Sequence, residues 1–355
     1  MKFEIKAYNL QELGQRQNQE DSLYPALGKS TNDDRLFILC DGMGGHEKGE
    51  VASATVCKVM SKTILSVWNP SEPLSDEIFQ QALAAAYDAL DAKDNGEERK
   101  MGTTMTFVCL HSEGATVAHI GDSRVYQLRP AKDGNSAKIV FRTQDHSLVN
   151  DLVKIGEITE EEAKHHPQKN VITRAMQPCQ EHRAKADIAH LTDIQPGDYF
   201  YMCSDGMLEE ATDENIVNII TMPGKTDDEK IDMLRKVTKG NKDNHTAHLI
   251  CIDSVYGTNE AEESQVQNAS EEIQGTLVEP EFEDNNTPAS SKISAKNGKM
   301  QTKRKKVLLI VCIAILAAII AGITFFNSSK NNDINVHTNS INKDFHKEQE
   351  KGTEI

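Results

Sequence analysis

Four aspartates in this sequence stand at the polar ends of apolar, strand-like runs: Asp41, Asp122, Asp205 and Asp243. A single Asp–Gly pair most often marks a turn, but the same placement recurring four times points to a shared site. If those strand ends converge, mutual repulsion raises the pKa values of the carboxyl groups. A divalent cation is the usual compensation, and oxygen ligands without neighbouring His or Cys favour magnesium or manganese over zinc.

The elements that must position these side chains can be read from the hydrophobic pattern of residues 1 to about 256. Residues 1–5 alternate like a strand, and further strand-like runs cover 36–40, 104–110, 116–120, 125–128, 139–142, 199–203 and 248–252. Apolar residues at helical spacing predict two long helices, over 52–67 and 78–90. Grouped helices with antiparallel strands elsewhere predict an α+β fold in which sheets pack between helices.

Eight short motifs follow one another along the same region. They are Arg16-Gln17-Asn18-Gln19-Glu20-Asp21, Asp41-Gly42-Met43-Gly44-Gly45, Gly102-Thr103-Thr104, Gly121-Asp122-Ser123-Arg124, Asp145-His146-Ser147-Leu148, Ile172-Thr173-Arg174-Ala175, Ser204-Asp205-Gly206 and Asp243-Asn244-His245-Thr246. In this order the motifs resemble the metal-dependent protein phosphatase 2C family, and its bacterial members most closely. The resemblance covers residues 1–255, and eight ordered blocks are far more specific than one short pattern.

The resemblance implies a catalytic domain over 1–257, with a central β-sandwich of two antiparallel sheets flanked by helix pairs. It also implies a two-metal centre at one end of the sandwich, holding Mn²⁺ or Mg²⁺. Residues 145–175, the flap segment, resemble the flap beside the bacterial active site. We expect Gly102, Thr103 and Thr104 to shape the core beneath the metals.

The ligand set follows from the same resemblance. Asp41 would bridge the two metals, Asp205 and Asp243 would complete one shell, and Glu20 with the main-chain carbonyl of Gly42 would serve the other. A third, weaker ion would use Asp122 together with Asp205.

Three further positions have roles implied by the family. Asp21 and Asn244 would orient ligands or metal-bound waters. Arg16 would bind two phosphoryl oxygens with its planar guanidinium and stabilise charge during bond breaking. A salt bridge to a neighbouring acid is the alternative interpretation of Arg16.

These roles predict a serine/threonine protein phosphatase that hydrolyses phosphoserine and phosphothreonine by direct attack of a metal-bridging hydroxide. One alternative is a metal-dependent phosphoesterase acting on small molecules. Another is a catalytically dead phosphatase fold that serves as a membrane scaffold, for which the loss of metal ligands would be the signature. None of the expected ligands is missing from the sequence.

The charge and the cysteines exclude other classes of protein. The formal net charge of −16 leaves no broad basic face for nucleic acid. The seven cysteines are scattered and form no CxxC pair, which argues against a zinc site and a disulfide framework.

The sequence beyond the catalytic domain divides into three parts. Residues 258–302 are acidic and polar and predict a disordered linker. A basic stretch opens 303–326, and the 20 residues 307–326 contain no charge, which predicts one transmembrane helix. The positive-inside rule places the domain in the cytoplasm of a bacterial cell and the tail, 327–355, outside the membrane. Such an anchor suggests a phosphatase that acts on phosphorylated proteins and opposes a membrane serine/threonine kinase.

Overall fold

The computed structural model describes residues 1–44, 48–94, 96, 98–132 and 136–257. The strands are β1 (Lys2–Glu12), β2 (Ser22–Tyr24), β3 (Leu36–Cys40), β4 (Gly42–Met43), β5 (Gly102–Thr103), β6 (Met105–His111), β7 (Gly114–Ile120), β8 (Arg124–Arg129), β9 (Lys138–Arg142), β10 (Asp187–Leu191), β11 (Tyr199–Cys203) and β12 (His245–Tyr256). The α-helices are α1 (Gly49–Val67), α2 (Asp76–Asp91), α3 (Leu148–Lys154), α4 (Glu160–His165), α5 (Asp213–Ile220) and α6 (Asp227–Val237).

Two five-stranded antiparallel sheets form the centre of the domain. One has the order β1-β12-β11-β8-β9 and the other β10-β7-β6-β3-β2. Their facing surfaces share a core that includes Phe37, Leu39, Phe200 and Ile250. Every residue of β3 and β11 is buried, because both faces of these central strands are covered.

A pair of helices covers the outer face of each sheet. Met60 of α1 and Phe79 of α2 pack in one cluster with Phe107 of β6, and the Phe79 and Phe107 rings meet edge to face at 5.1 Å. On the other side, Ile216 of α5 and Leu234 of α6 pack in a cluster with residues of β8, β11 and β12. The order is therefore helices, sheet, sheet, helices, which confirms the predicted β-sandwich flanked by helix pairs.

The strand-like runs of the sequence agree with the observed strands to within a few residues, except for the first and the last, where the observed strands β1 and β12 are longer. The predicted helices over 52–67 and 78–90 correspond to α1 and α2. The short strands β2, β4, β5 and β10 and the helices α3, α4, α5 and α6 had not been identified from the pattern. Two of these short strands, β4 and β5, form a separate ladder beside Asp41.

The predicted linker 258–302, the predicted membrane segment 303–326 and the tail 327–355 lie outside the described residues. Within the described part of the chain, no helix has both the length and the apolar composition that crossing a bilayer requires.

Candidate active site

Asp41 follows the last residue of β3 and is held through its main chain. Its N–H donates to the Thr104 hydroxyl at 3.0 Å, and its carbonyl accepts from the Thr104 N–H at 2.8 Å. The Thr103 hydroxyl donates to the same carbonyl at 2.9 Å. With its backbone fixed in this way, the carboxylate of Asp41 is presented at the end of the sandwich. The predicted supporting role of Thr103 and Thr104 is consistent with these bonds.

Gly42 lies where three backbone segments meet. Its N–H donates to the Glu20 carbonyl at 3.1 Å, and a Cβ atom here would lie 2.3 Å from the carbonyl oxygen of Gly49. Only glycine fits this approach, since no side chain can be placed so close to backbone atoms. The contact brings Glu20 and the start of α1 against the turn that follows Asp41.

Asp205 and Asp243 are brought together by a second close approach. Asp205 opens a short 3₁₀ turn after β11, and Asp243 lies two residues before β12, the neighbouring strand. A Cβ atom on Gly206 would lie 2.0 Å from the Asn244 carbonyl oxygen, so glycine permits the two loops to touch. The carboxylate of Asp243 raises the pKa of Asp205, after the larger effect of burial.

Asp21 lies buried beneath these loops, with 4% of its surface exposed. The Ser204 hydroxyl donates to its Oδ2 at 2.9 Å and accepts from the Thr246 N–H at 3.0 Å. Burial raises the pKa of Asp21 to about 7, and the nearby Asp205 and Asp243 add to the effect. Through the Ser204 hydroxyl, Asp21 is thus linked to the end of β11 and the start of β12.

Asn244 ties the N-terminal loop to the site with both ends of its amide. Its Nδ2 donates to the carbonyls of Leu13 and Asn18, at 2.8 and 3.0 Å, and its Oδ1 accepts from the Glu20 N–H at 2.8 Å. This loop carries Arg16 and Glu20, so Asn244 determines where both side chains are presented.

Asp122 lies in the turn between β7 and β8, with 9% of its surface exposed. Its Oδ1 atom is buried without a hydrogen-bond partner among the described residues. Burial raises its pKa to about 8, and the carboxylates of Asp205 and Asp145 contribute. A buried acidic oxygen without a donor is costly, and a bound cation would satisfy it.

Several carboxyl groups of this cluster have raised pKa values. Burial and then the nearby Asp21, Asp205 and Asp122 hold the pKa of Asp41 well above its usual range. Burial also raises the pKa of Glu20, and the neighbouring Glu50 adds to the effect while Arg16 opposes it. The structure therefore brings Asp41, Asp122 and Asp205 close enough to affect one another's titration, with Asp243 near Asp205, and this all-oxygen donor set fits Mg²⁺ or Mn²⁺.

Arg16 lies at the rim of this acidic cluster. Its Nη2 atom lies 2.5 Å from Oδ2 of Asp243, and its side chain is 53% exposed. This ion pair is the alternative interpretation of Arg16 given in the sequence analysis. It does not exclude phosphate binding, because a guanidinium has five N–H groups and can bind a second anion at the same time. The pKa of Arg16 is raised, chiefly by its hydrogen bond to Asp243.

Sequence reasoning missed Glu50, in the first turn of α1. One of its carboxylate oxygens, Oε2, is buried without a hydrogen-bond partner among the described residues, and the group raises the pKa of Glu20. Its position next to Gly49, which contacts Gly42, becomes visible only in the fold. The signal in the sequence is an acidic residue at the start of a helix that follows the glycine-rich turn.

A second group of metal-type side chains also escaped the sequence analysis. Ring nitrogens of His119 and His146 and a carboxylate oxygen of Asp187 lie within 4.8 Å of one another. The two histidines are buried, whereas Asp187 is exposed. The residues come from β7, the start of the flap segment and β10, so their proximity depends on tertiary structure.

Comparison with known proteins identifies the family. The family model described as protein phosphatase 2C matches residues 12–238. A protein phosphatase 2C-type protein of Streptococcus pyogenes is 34% identical over 221 residues, which cover 62% of this chain and 86% of the relative. The serine/threonine protein phosphatase PstP of Mycobacterium tuberculosis is 35% identical over 212 residues, covering 59% of this chain and 37% of PstP.

A solved structure supports the same assignment. The catalytic domain of PstP, crystallised in complex with two manganese ions, superimposes with a TM-score of 0.54 at 29% identity, covering 70% of this chain and 99% of that chain. The family model spans the strands and helices that carry every predicted ligand except Asp243, which follows its last matched residue. This chain belongs to the protein phosphatase 2C family.

Proposed function

We propose that this chain is a membrane-anchored, metal-dependent serine/threonine protein phosphatase, which hydrolyses phosphoserine and phosphothreonine in proteins. The observation that carries the catalytic part is the convergence of buried carboxyl groups with raised pKa values at one end of a protein phosphatase 2C domain. The named function of the relatives and the manganese ions in the PstP structure support the same chemistry.

Two cations would be held by the acidic cluster. Asp41 would contact both, Asp205 and Asp243 would complete one site, and Glu20 with the Gly42 carbonyl would form the other. Asp122 and Asp205 would hold a third, weaker ion. When bound, the cations supply hydroxide from water near neutral pH and withdraw charge from the phosphoryl group.

The residues of this chain would bind and orient the substrate around that centre. Arg16 can turn its free N–H groups towards two phosphoryl oxygens while it remains paired with Asp243. Asn244 would fix the positions of Arg16 and Glu20 relative to Asp243, because its amide bonds to the loop that carries Arg16 and Glu20. Asp21 and Ser204 would support the loop of Asp205 from below.

The test is phosphate release by the purified full-length chain from a phosphothreonine peptide. After chelation, we expect no activity, and Mn²⁺ or Mg²⁺ should restore it. Asp41→Asn and Asp205→Asn should each lower the metal-restored rate by on the order of 10³-fold, because a neutral amide holds less well the cation that stabilises the negative charge of the transition state. Asp253→Asn is the control, since Asp253 is half exposed and pairs only with Lys6 in the described structure.

Two other outcomes would replace this proposal. Metal-restored activity on small phosphoesters alone would favour a small-molecule phosphoesterase. A folded chain that binds metal but hydrolyses neither class would favour a membrane scaffold without catalysis.

The anchoring part of the proposal rests on the uncharged residues 307–326 and the basic residues 303–306 that precede them. We infer that the catalytic domain faces the cytoplasm of a bacterial cell. An anchor would confine the enzyme to the surface on which a membrane serine/threonine kinase acts, and tethering raises the effective concentration without adding a contact. We therefore infer that the enzyme opposes such a kinase.

A further inference from the structure

His146 lies at the base of the flap segment, next to the turn that carries Asp122. Its side chain is 6% exposed. The N–H of His146 donates to the Gly121 carbonyl at 2.9 Å, and the Gly121 N–H donates to Nδ1 of the His146 ring at 3.1 Å. Both polar groups of the Gly121 backbone are thus bonded to one residue, directly before Asp122.

The other ring nitrogen of His146 connects to a different element. Nε2 lies 3.1 Å from Oδ2 of Asp187, the first residue of β10, and 3.2 Å from Nη1 of Arg174. Since Nδ1 accepts the Gly121 N–H, the ring proton must reside on Nε2, which donates to Asp187 and therefore accepts no bond from the guanidinium of Arg174. The hydrogen bonds determine one tautomer and one ring orientation.

Asp187 in turn holds the far end of the flap segment. Its Oδ1 accepts from Nη1 of Arg174 at 2.8 Å, and the neighbouring Thr173 N–H donates to the His146 carbonyl at 2.9 Å. Residues Ser147 and Ile172 form an antiparallel bridge. The two ends of the flap segment are therefore joined at His146, and the Asp187 carboxylate links them to β10.

A metal ion at His119, His146 and Asp187 is the competing interpretation of this group. Three features oppose it. The guanidinium of Arg174 already neutralises Asp187, and Nε2 of His119 donates to the Gln144 carbonyl at 2.9 Å. The two imidazole rings are stacked at 4.4 Å with planes 17° apart, so their in-plane lone pairs lie in two nearly parallel planes, which disfavours a shared ion between them.

We propose that His146 is a positioning residue, which orients Asp122 through the Gly121 N–H and couples that turn to the flap segment through Asp187. The inference rests on the proposed function in one respect: a fixed orientation of Asp122 affects metal binding only if Asp122 holds the weaker ion. Partners that orient a metal ligand typically change metal affinity by about 10- to 100-fold when they are removed.

Two substitutions of His146 test the roles of its two ring nitrogens separately. In His146→Asn, the amide oxygen can replace Nδ1 as acceptor for Gly121, but the donor to Asp187 is lost. In His146→Gln, the amide nitrogen can replace Nε2 as donor to Asp187, but the acceptor for Gly121 is lost. His119→Gln is the matched control, because the His119 ring stacks on the same ring, while its Nε2 donates to the Gln144 carbonyl and its only pairing with Asp187 in the described structure is through the β7–β10 backbone ladder.

The first measurement is amide hydrogen exchange at Gly121 in the metal-free full-length chain, which depends on no assumption about catalysis. We expect faster exchange in His146→Gln, and near wild-type exchange in His146→Asn and His119→Gln. The second is Mn²⁺ binding followed by electron paramagnetic resonance of the free ion. The weakest site should weaken by about tenfold or more in His146→Gln, as in Asp122→Asn, with the tighter sites unchanged.

Equal Gly121 exchange in wild type and His146→Gln would overturn the inference, as would equal impairment of both His146 variants. If His146→Gln fails to fold, the ¹⁵N spectrum of the His146 ring in the wild type decides, since a proton on Nδ1 contradicts the proposed bond. A wild-type chain with a protected Gly121 amide that binds no Mn²⁺ would instead contradict the proposed function.

Discussion

Asp41 and Arg16 are held in different ways, and the difference matters for what each can do. The Asp41 backbone is fixed by Thr103 and Thr104, so its carboxylate is not needed to hold the loop in place. Arg16 is held by its own functional group, through the ion pair with Asp243. Its orientation towards a phosphate therefore depends on how many of its N–H groups remain available.

Arg16→Lys tests this point. Lysine keeps the positive charge but lacks the planar fork that bonds to Asp243 and to phosphoryl oxygens together. We expect kcat/KM on a phosphothreonine peptide to fall by on the order of tenfold, because the paired hydrogen bonds are lost. Arg235→Lys, at an exposed ion pair with Glu12, is the control. Unchanged kcat/KM in Arg16→Lys would leave Arg16 as a surface salt bridge only.

The four aspartates could be singled out because strand ends leave a visible pattern, whereas Glu20, the Gly42 carbonyl and the ligand roles were implied by the family resemblance. The bonds that Thr104 makes and the roles of Glu50 and His146 could not be predicted, because they arise from contacts with residues distant in the sequence. The hydroxyl of Thr104 meets the Asp41 backbone across 63 residues, and His146 meets Gly121 across 25. No local spacing records such contacts.

At the scale of elements, the apolar runs predicted β3 and β11 well, since strands covered on both faces are apolar throughout. The helices α5 and α6 were missed because they are short and α6 is rich in charge. Their starts do carry a sequence signal, a capping box, at Thr212 with Asn215 and at Thr226 with Glu229.

The capping box of α6 gives a prediction about stability. The Thr226 hydroxyl accepts from the Glu229 N–H at 3.3 Å, and the Glu229 carboxylate accepts from the Thr226 N–H at 2.8 Å. Thr226→Ala should lower the free energy of unfolding by about 1 kcal/mol, measured by urea denaturation. Thr226→Ser should retain most of it, and neither change should alter kcat. Equal stability of the alanine variant would show that α6 does not depend on this cap.

At the scale of the whole molecule, the acidic cluster opposes folding when no cation is present. Burial raises the pKa of Asp21 to about 7 and that of Asp122 to about 8, above the value of about 3.9 expected in the unfolded chain. Between these values the folded state binds more protons, so the free energy of unfolding decreases as pH rises. The contribution of the protonated Asp21 and Asp122 to the free energy of unfolding is fully present below about pH 4 and is lost as the pH rises through 7 to 8.

Thermal melting in chelator should therefore show a lower Tm at pH 8 than at pH 5. Added Mn²⁺ should raise the Tm at pH 8 more than at pH 5, because protons compete with the cation for the same carboxylates. A Tm in chelator that rises steadily from pH 5 to pH 8 would contradict this account of the cluster.

The proposed anchor predicts where the enzyme is found. The full-length chain should sediment with membranes, and a chain that ends at residue 302 should be soluble with unchanged activity on a small phosphoester. At equal expression, the soluble form should leave more phosphothreonine on membrane proteins than the anchored form does. A soluble full-length chain would refute the anchor, and equal phosphothreonine levels would refute the proposed opposition to a membrane kinase.

The pairing of β1 with β12 has a geometric consequence. Lys2 lies opposite Tyr256 at one end of this ladder, and Glu12 lies opposite His245 at the other, next to Arg16 and Asp243. The 12 residues of β12 extend over roughly 35 Å at about 3.3 Å per residue. The first residue and the exit at Gly257 therefore share the pole of the domain that faces away from the acid-lined mouth. A tether that enters the domain at Met1 or leaves it at Gly257 is therefore attached on the side opposite the acidic cluster, and the mouth stays open to large phosphoproteins.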